Sequence, residues 1–158
     1  MKKLKTTLVW WVAITAITIG LCHLTQIIAD LFGIELPDQA NLDLVKNSAG
    51  WNLKFLGLCV YIVCITPAIE EFLFRCLCWK VHKPQREWSL AILSSALFSA
   101  AHYLFQPFPD NAFIALFAFG MMQCALYKRT GAIWCPIVSH ALFNAVNLVL
   151  LFALPPVV

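Results

Sequence analysis

The segment Thr66-Pro67-Ala68-Ile69-Glu70-Glu71-Phe72-Leu73-Phe74-Arg75 places three formal charges inside an otherwise apolar run. In a bilayer each such charge costs about 2.5–3.5 kcal/mol even on lenient insertion scales, so a chain keeps them only where they are paired, face a wet cavity or are in use. Three further polar residues, His102, His140 and Asn144, stand in two later apolar stretches. A fold that accepts this chain must turn these polar faces toward one shared interior.

Composition supplies the solvent for that fold. Apolar residues make up 61% of the 158 and charged residues only 12%, whereas soluble domains have about 45–50% and about 25%. Runs long enough to cross a bilayer fall at Leu8–Ile28, Leu53–Trp79, Leu90–Phe105, Ala112–Tyr127 and Ala132–Leu154. The third and fourth are short, at about sixteen residues, a length that local thinning or a polar-lined cavity accommodates. Only helices satisfy their own backbone groups in lipid at these lengths. The expected fold is therefore an all-α, polytopic transmembrane helical bundle of about five spans around an intramembrane polar cavity.

Charge gives the topology. With the N-terminus in the cytoplasm, Lys2, Lys3, Lys5, Arg75, Lys80, Lys83, Arg86, Lys128 and Arg129 fall on or near the inner side, and only Lys46 and Lys54 fall outside. That asymmetry is a positive-inside signal. The net charge of +3 is thus a topology signal and not a nucleic-acid footprint. Trp10, Trp11, Trp51, Trp79, Trp88 and Trp134 lie near span ends, where an aromatic belt places them. The basic start and following apolar run resemble a signal peptide, but the run is long and lacks a small-x-small cleavage site, so a retained first helix is expected.

The chain reads as a single membrane domain, 1–158, with no internal repeat. Asp30–Gly50 reads as an irregular outer loop, Val81–Ser89 as a basic inner connection and Gln106–Asn111 as a tight outer turn. Lys128-Arg129-Thr130-Gly131 should close the last two helices into an antiparallel hairpin. Seven cysteines imply no disulfide. Cys22, Cys59, Cys64 and Cys124 read as buried apolar fillers, and Cys76 and Cys78 as candidate acylation sites near a span end.

Helix rise sets depth. Counted from the inner boundary at 1.5 Å per residue, Glu70 lies ~15 Å in, His102 ~20 Å, His140 ~13 Å and Asn144 ~20 Å, so three spans deliver polar groups to one slab. Glu71 and Arg75 are four apart and can pair. Glu70 lies about 100° away on the helix and is not committed to Arg75. His140 and Asn144 share a face. Ser94, Ser95, Phe98, Ser99 and His102 form a small, polar stripe of the kind that lets helices approach closely. Pro67 and Pro136 stand just before Glu70 and His140 and can kink their helices. His23 and His82 read as a packing and a surface histidine. A buried carboxylate is driven toward the range of a general base near neutral pH. Histidine relays its proton, and a second histidine with an amide can donate to an oxyanion. Those parts suffice to activate water against an amide carbonyl. Ser139 adjoins His140 but points off its face, and Ser99, three residues before His102, is a weak nucleophile candidate.

The chain resembles the CPBP group of intramembrane proteases, which includes type II CAAX prenyl endopeptidases and bacterial proteins linked to bacteriocin self-immunity. The family motif EExxxR corresponds to Glu70-Glu71-Phe72-Leu73-Phe74-Arg75, FxxxH to Phe98-Ser99-Ala100-Ala101-His102 and HxxxN to His140-Ala141-Leu142-Phe143-Asn144. The resemblance covers a core at 66–148. It implies that Glu70 and His102 activate water, that His140 and Asn144 stabilise the oxyanion, and that Glu71 and Arg75 hold the site together. It also implies a multi-pass protein of a bacterial cell membrane, contacting lipid and a peptide or protein substrate. A metal-free glutamate mechanism is expected, with no cofactor. The alternative is zinc held by Glu70, His102 and His140.

Two other functions fit the same residues. One is a non-catalytic immunity or scaffold protein binding a peptide or partner in the cavity. The other is a proton-coupled carrier, which intramembrane Glu and His also serve, although no inverted repeat supports it.

Overall fold

The computed structural model of the chain describes residues 1–37, 45–50, 52–77, 87–104 and 110–153. Most of the basic inner connection, most of the outer turn at 106–111, part of the outer loop, Cys78 and the side chain of Cys76 lie outside the described residues. Among the described residues there is no strand. The helices are α1 (Lys2–Leu31), α2 (Leu53–Val60), α3 (Thr66–Glu71), α4 (Glu87–His102), α5 (Phe113–Thr130) and α6 (Trp134–Ala153). Two π-helical turns, Tyr61–Ile65 and Phe72–Leu77, join and extend α2 and α3 into one broken helix. The all-α bundle expected from composition is thus present. Among the described residues three helices, Lys2–Leu31, Leu53–Arg75 and Trp134–Ala153, are long and apolar enough to cross a membrane, and Trp88–His102 is a shorter apolar helix.

Local chemistry sets the helix ends. Asn52 caps α2 by accepting the Phe55 N–H at 2.9 Å, as a short polar N-cap residue does. Gly131 stops α5 with φ 60° and returns its N–H to the Tyr127 carbonyl at 2.8 Å, the left-handed cap that glycine adopts without a Cβ clash. The few residues left before Trp134 make α5 and α6 an antiparallel pair, as expected.

The broken helix has a cause in its sequence. Pro67 offers no N–H, and its ring collides with the carbonyl four residues back. The backbone widens there by a π turn: the Thr66 N–H reaches the Tyr61 carbonyl, five residues back, and the Thr66 hydroxyl donates to the same oxygen at 3.1 Å.

α5 is the centre of the bundle. It packs against α4, α1, α6 and the second π turn, and buries Ala115, Phe119, Gly120, Gln123, Cys124, Leu126 and Thr130. Gly120 permits a close approach of α5 to α4. A Cβ there would lie 2.9 Å from the Ser95 Cβ and 3.0 Å from its Cα. Ser94 donates its hydroxyl to the Phe74 carbonyl, Ser95 to Ala91 at 2.6 Å and Ser99 to Phe113 at 2.9 Å. The small polar stripe of α4 is therefore a helix–helix contact. At the far end Asn111 donates to Gln26 at 3.2 Å, tying α1 to the start of α5. The Tyr103 hydroxyl donates to Asp110, which also accepts the Ala112 N–H at 2.8 Å.

The distribution of side chains is inverted relative to a soluble domain. Buried positions include Thr7, Thr18, Glu71, Arg75, Ser94, Ser95, Ser99, Gln123, Ser139 and His140, while Val9, Val12, Ile27, Leu56, Ile92, Leu97 and Val149 point outward. Apolar side chains gain nothing by hiding from lipid tails, and helices there associate through small and polar residues. This pattern is that of a membrane protein. One reading of the cysteines is corrected by it: Cys64 is exposed on the outer surface, not buried, while Cys22 and Cys59 are part-buried and Cys124 and Cys135 are buried.

Candidate active site

The site is built on the broken helix, α4 and α6. Glu71 and Arg75 are both fully buried, with Arg75 Nε 3.1 Å from Glu71 Oε2. The pair makes an ion contact without hydrogen-bond alignment, since neither of those two atoms has a hydrogen-bond partner. Arg75 also directs Nη2 toward the Gly120 carbonyl at 3.5 Å, and its guanidinium carbon sits 4.6 Å from the centroid of the Phe98 ring. A cation over an aromatic face is stabilised where water is excluded.

Glu71 does more than pair with Arg75. Its other oxygen, Oε1, lies 2.9 Å from His140 Nδ1. A carboxylate on Nδ1 fixes the ring orientation and places the proton of that nitrogen. His140 Nε2 then faces Glu70, 3.7 Å from Oε2. His140 therefore stands between the two adjacent glutamates. Glu70, which the helical wheel leaves uncommitted, has this imidazole as its neighbour and keeps a 21% exposed side chain.

His102 closes α4. Its Nδ1 is 2.9 Å from the Phe98 carbonyl, so a neutral ring donates there and leaves Nε2 as the acceptor. Phe98, 1% exposed, is the floor shared by both histidines. Its centroid is 4.8 Å from that of His102 and 6.0 Å from that of His140. Phe119 of α5 packs on Phe98 at 5.8 Å and on His140 at 4.8 Å.

Asn144, one turn beyond His140, donates from Nδ2 to the Ile62 carbonyl at 2.9 Å. One hydrogen of its amide is thus committed to backbone, which the sequence reading does not include. The serine candidates are engaged elsewhere: Ser99 donates to Phe113, and Ser139 is buried with its hydroxyl 3.5 Å from Gln123 Nε2.

As to a metal, among the described residues no three His, Cys, Asp or Glu side chains come together as a ligand set. Glu70, His102 and His140 do not assemble as zinc ligands in this arrangement. His140 has one nitrogen on Glu71 and the other directed at Glu70. The arrangement suits general acid–base chemistry: a partly exposed carboxylate beside an oriented imidazole, with a second imidazole on the same aromatic floor.

Sequence reasoning names Glu70, Glu71, Arg75, His102, His140 and Asn144. It misses the Glu71–His140 contact, the aromatic floor of Phe98 and Phe119, and the Ile62 and Gly120 carbonyls. Phe98 carried a signal, its place four residues before His102. The carbonyls carried none, since every residue has one.

A family model described as type II CAAX prenyl endopeptidase Rce1-like matches residues 52–146, more than half of the chain and inclusive of all six residues. No curated protein and no solved structure matches the chain.

Proposed function

Because the chain belongs to the Rce1-like family of type II CAAX prenyl endopeptidases, we propose that it is an intramembrane endopeptidase that hydrolyses a peptide bond of a membrane-associated substrate. In this reading Glu70, with His102, takes a proton from water as the water oxygen attacks the scissile carbonyl. The remaining hydrogen of Asn144 donates to the oxyanion, and so does His140 Nε2 when the ring carries a second proton beside the one that Nδ1 gives to Glu71. The tetrahedral intermediate collapses as Glu70 returns the proton to the leaving amine, giving a carboxylate and an amine. Glu71 and Arg75 hold His140 and the broken helix in place.

The observation that carries the reading is His140 held by Glu71 on one nitrogen and facing Glu70 with the other. Such an imidazole has its orientation set before substrate arrives, and preorganised donors are worth most in a water-poor site. The proposed setting is a bacterial cell membrane crossed several times with the N-terminus inside. The partners are lipid and a peptide or protein substrate, and neither cofactor nor nucleic acid takes part.

The test uses the purified full chain in liposomes with internally quenched peptides ending in a farnesylated CAAX sequence, each beside its unmodified counterpart. Wild type should cleave, and Glu70→Gln should lower kcat by about 10²-fold or more with folded yield intact. Cleavage should survive strong chelators. Equal cleavage by Glu70→Gln would overturn the assignment. A folded wild type that cuts none of the peptides would favour the non-catalytic immunity or scaffold reading.

A further inference from the structure

Asn144 is not placed by α6 alone. The first π turn leaves one backbone oxygen without a natural donor. In that turn the Thr66 N–H goes to the Tyr61 carbonyl, five residues back. The next bond in the same register would run from residue 67 to the carbonyl of Ile62, but residue 67 is proline and has no N–H. Asn144 Nδ2 occupies the vacated position, at 2.9 Å from the Ile62 oxygen. Pro67 is fully buried, so no water replaces its missing donor from that side.

The carbonyl also settles which way the amide points. An Asn oxygen turned toward a backbone carbonyl would set two acceptors face to face, whereas the NH2 group pairs with it. An amide is planar, so once one Nδ2 hydrogen is directed at Ile62 the direction of the second follows. It is the remaining donor of the side chain.

We propose that Pro67 and the Ile62 carbonyl are positioning groups for Asn144: the proline gap creates the acceptor that sets the second amide hydrogen toward the reacting carbonyl. This rests on the proteolytic reading above, in which Asn144 contacts the oxyanion. Pro67 never touches substrate. Replacing it by alanine restores an N–H that competes for the Ile62 oxygen. That competition frees the Asn144 amide to rotate.

Pro67→Ala should therefore lower kcat roughly ten- to a hundredfold while KM stays within about twofold, the signature of lost orientation at the reacting atoms. In an Asn144→Ala background the same change should have no further effect on kcat, because both act through one bond. A second readout needs no substrate. In 15N-asparagine-labelled protein in nanodiscs, with Asn144→Ala for assignment, one Asn144 side-chain hydrogen should exchange slowly in wild type and both rapidly in Pro67→Ala. A Pro67→Ala enzyme with unchanged kcat, additive effects in the double variant, or equally fast exchange of both wild-type hydrogens would overturn the proposal. If Pro67→Ala does not fold, the wild-type exchange measurement decides. If wild type cleaves nothing, the proteolytic reading falls while the exchange comparison still judges the Ile62–Asn144 bond.

Discussion

α1 and the broken helix are both long and apolar enough to span a membrane, yet they handle polar groups in opposite ways. α1 is unbroken over 30 residues and buries only Thr7, Ile14, Thr18 and Ala29. The hydroxyls of Thr15 and Thr18 have no hydrogen-bond partner. The broken helix leaves α register twice, and its polar groups find partners both within it and on other elements. Arg75 of the same helix pairs with Glu71, while His140 meets Glu71, Asn144 meets the Ile62 carbonyl and Ser94 meets the Phe74 carbonyl. An unbroken helix satisfies its own backbone and has no backbone group to offer its neighbours along its length. A helix that leaves α register exposes carbonyls that neighbouring side chains must complete, which ties it to a unique position. The difference teaches that the interruptions, as much as the charges, place the site.

Substitutions can break that contrast, beginning with the largest effect. Glu71→Ala strands a fully buried Arg75 and removes the anchor of His140 at once. Breaking a buried pair from one side costs about 3–5 kcal/mol, so the folded yield in membranes and the thermal midpoint should drop sharply, far more than for Glu70→Gln. Equal losses in the two variants would erase the division between a holding and a reacting glutamate. Gly120→Ala should come next. Its new Cβ meets the backbone of Ser95, which cannot swing aside, and overpacking of this kind costs about 1–3 kcal/mol. A thermal melt of the two proteins side by side checks it. The smallest and most diagnostic effect is a matched pair. Thr18→Val removes an unpartnered hydroxyl from α1 and should be neutral or slightly stabilising, whereas Thr66→Val removes a hydroxyl bonded to the first π turn and should cost about 1 kcal/mol. Equal responses would show that the two helices do not differ in this way.

The contrast also marks what was legible. The helices were readable because a bilayer demands apolar length: the five expected runs coincide with described helices to within a few residues at most ends, and three of those helices are long and apolar enough to cross a membrane. The six candidate site residues stood out because charge and imidazole are costly in lipid. The Glu71–Arg75 pairing followed from helical spacing, and 3.1 Å separates them. The contact of Glu71 with His140 was not legible, because it depends on how the broken helix meets α6, and periodicity within one segment says nothing of that. Nor was the bond from Asn144 to Ile62. It requires a π turn, and Pro67 announced only that a kink was possible. Cys64 was misread because an apolar span has an outer face as well as an inner one, and nothing at that position marked which it occupied.

A π turn inside a helix is one residue of surplus backbone, absorbed so that the segments on either side keep their phase. Closing the first π turn, Tyr61–Ile65, to α register with every residue retained would rotate the following segment by about 100°, and Glu70 would leave His140. The turn is therefore what lets this stretch carry its extra residue and still present both glutamates to α6. α1, which carries no site residue, has no such turn.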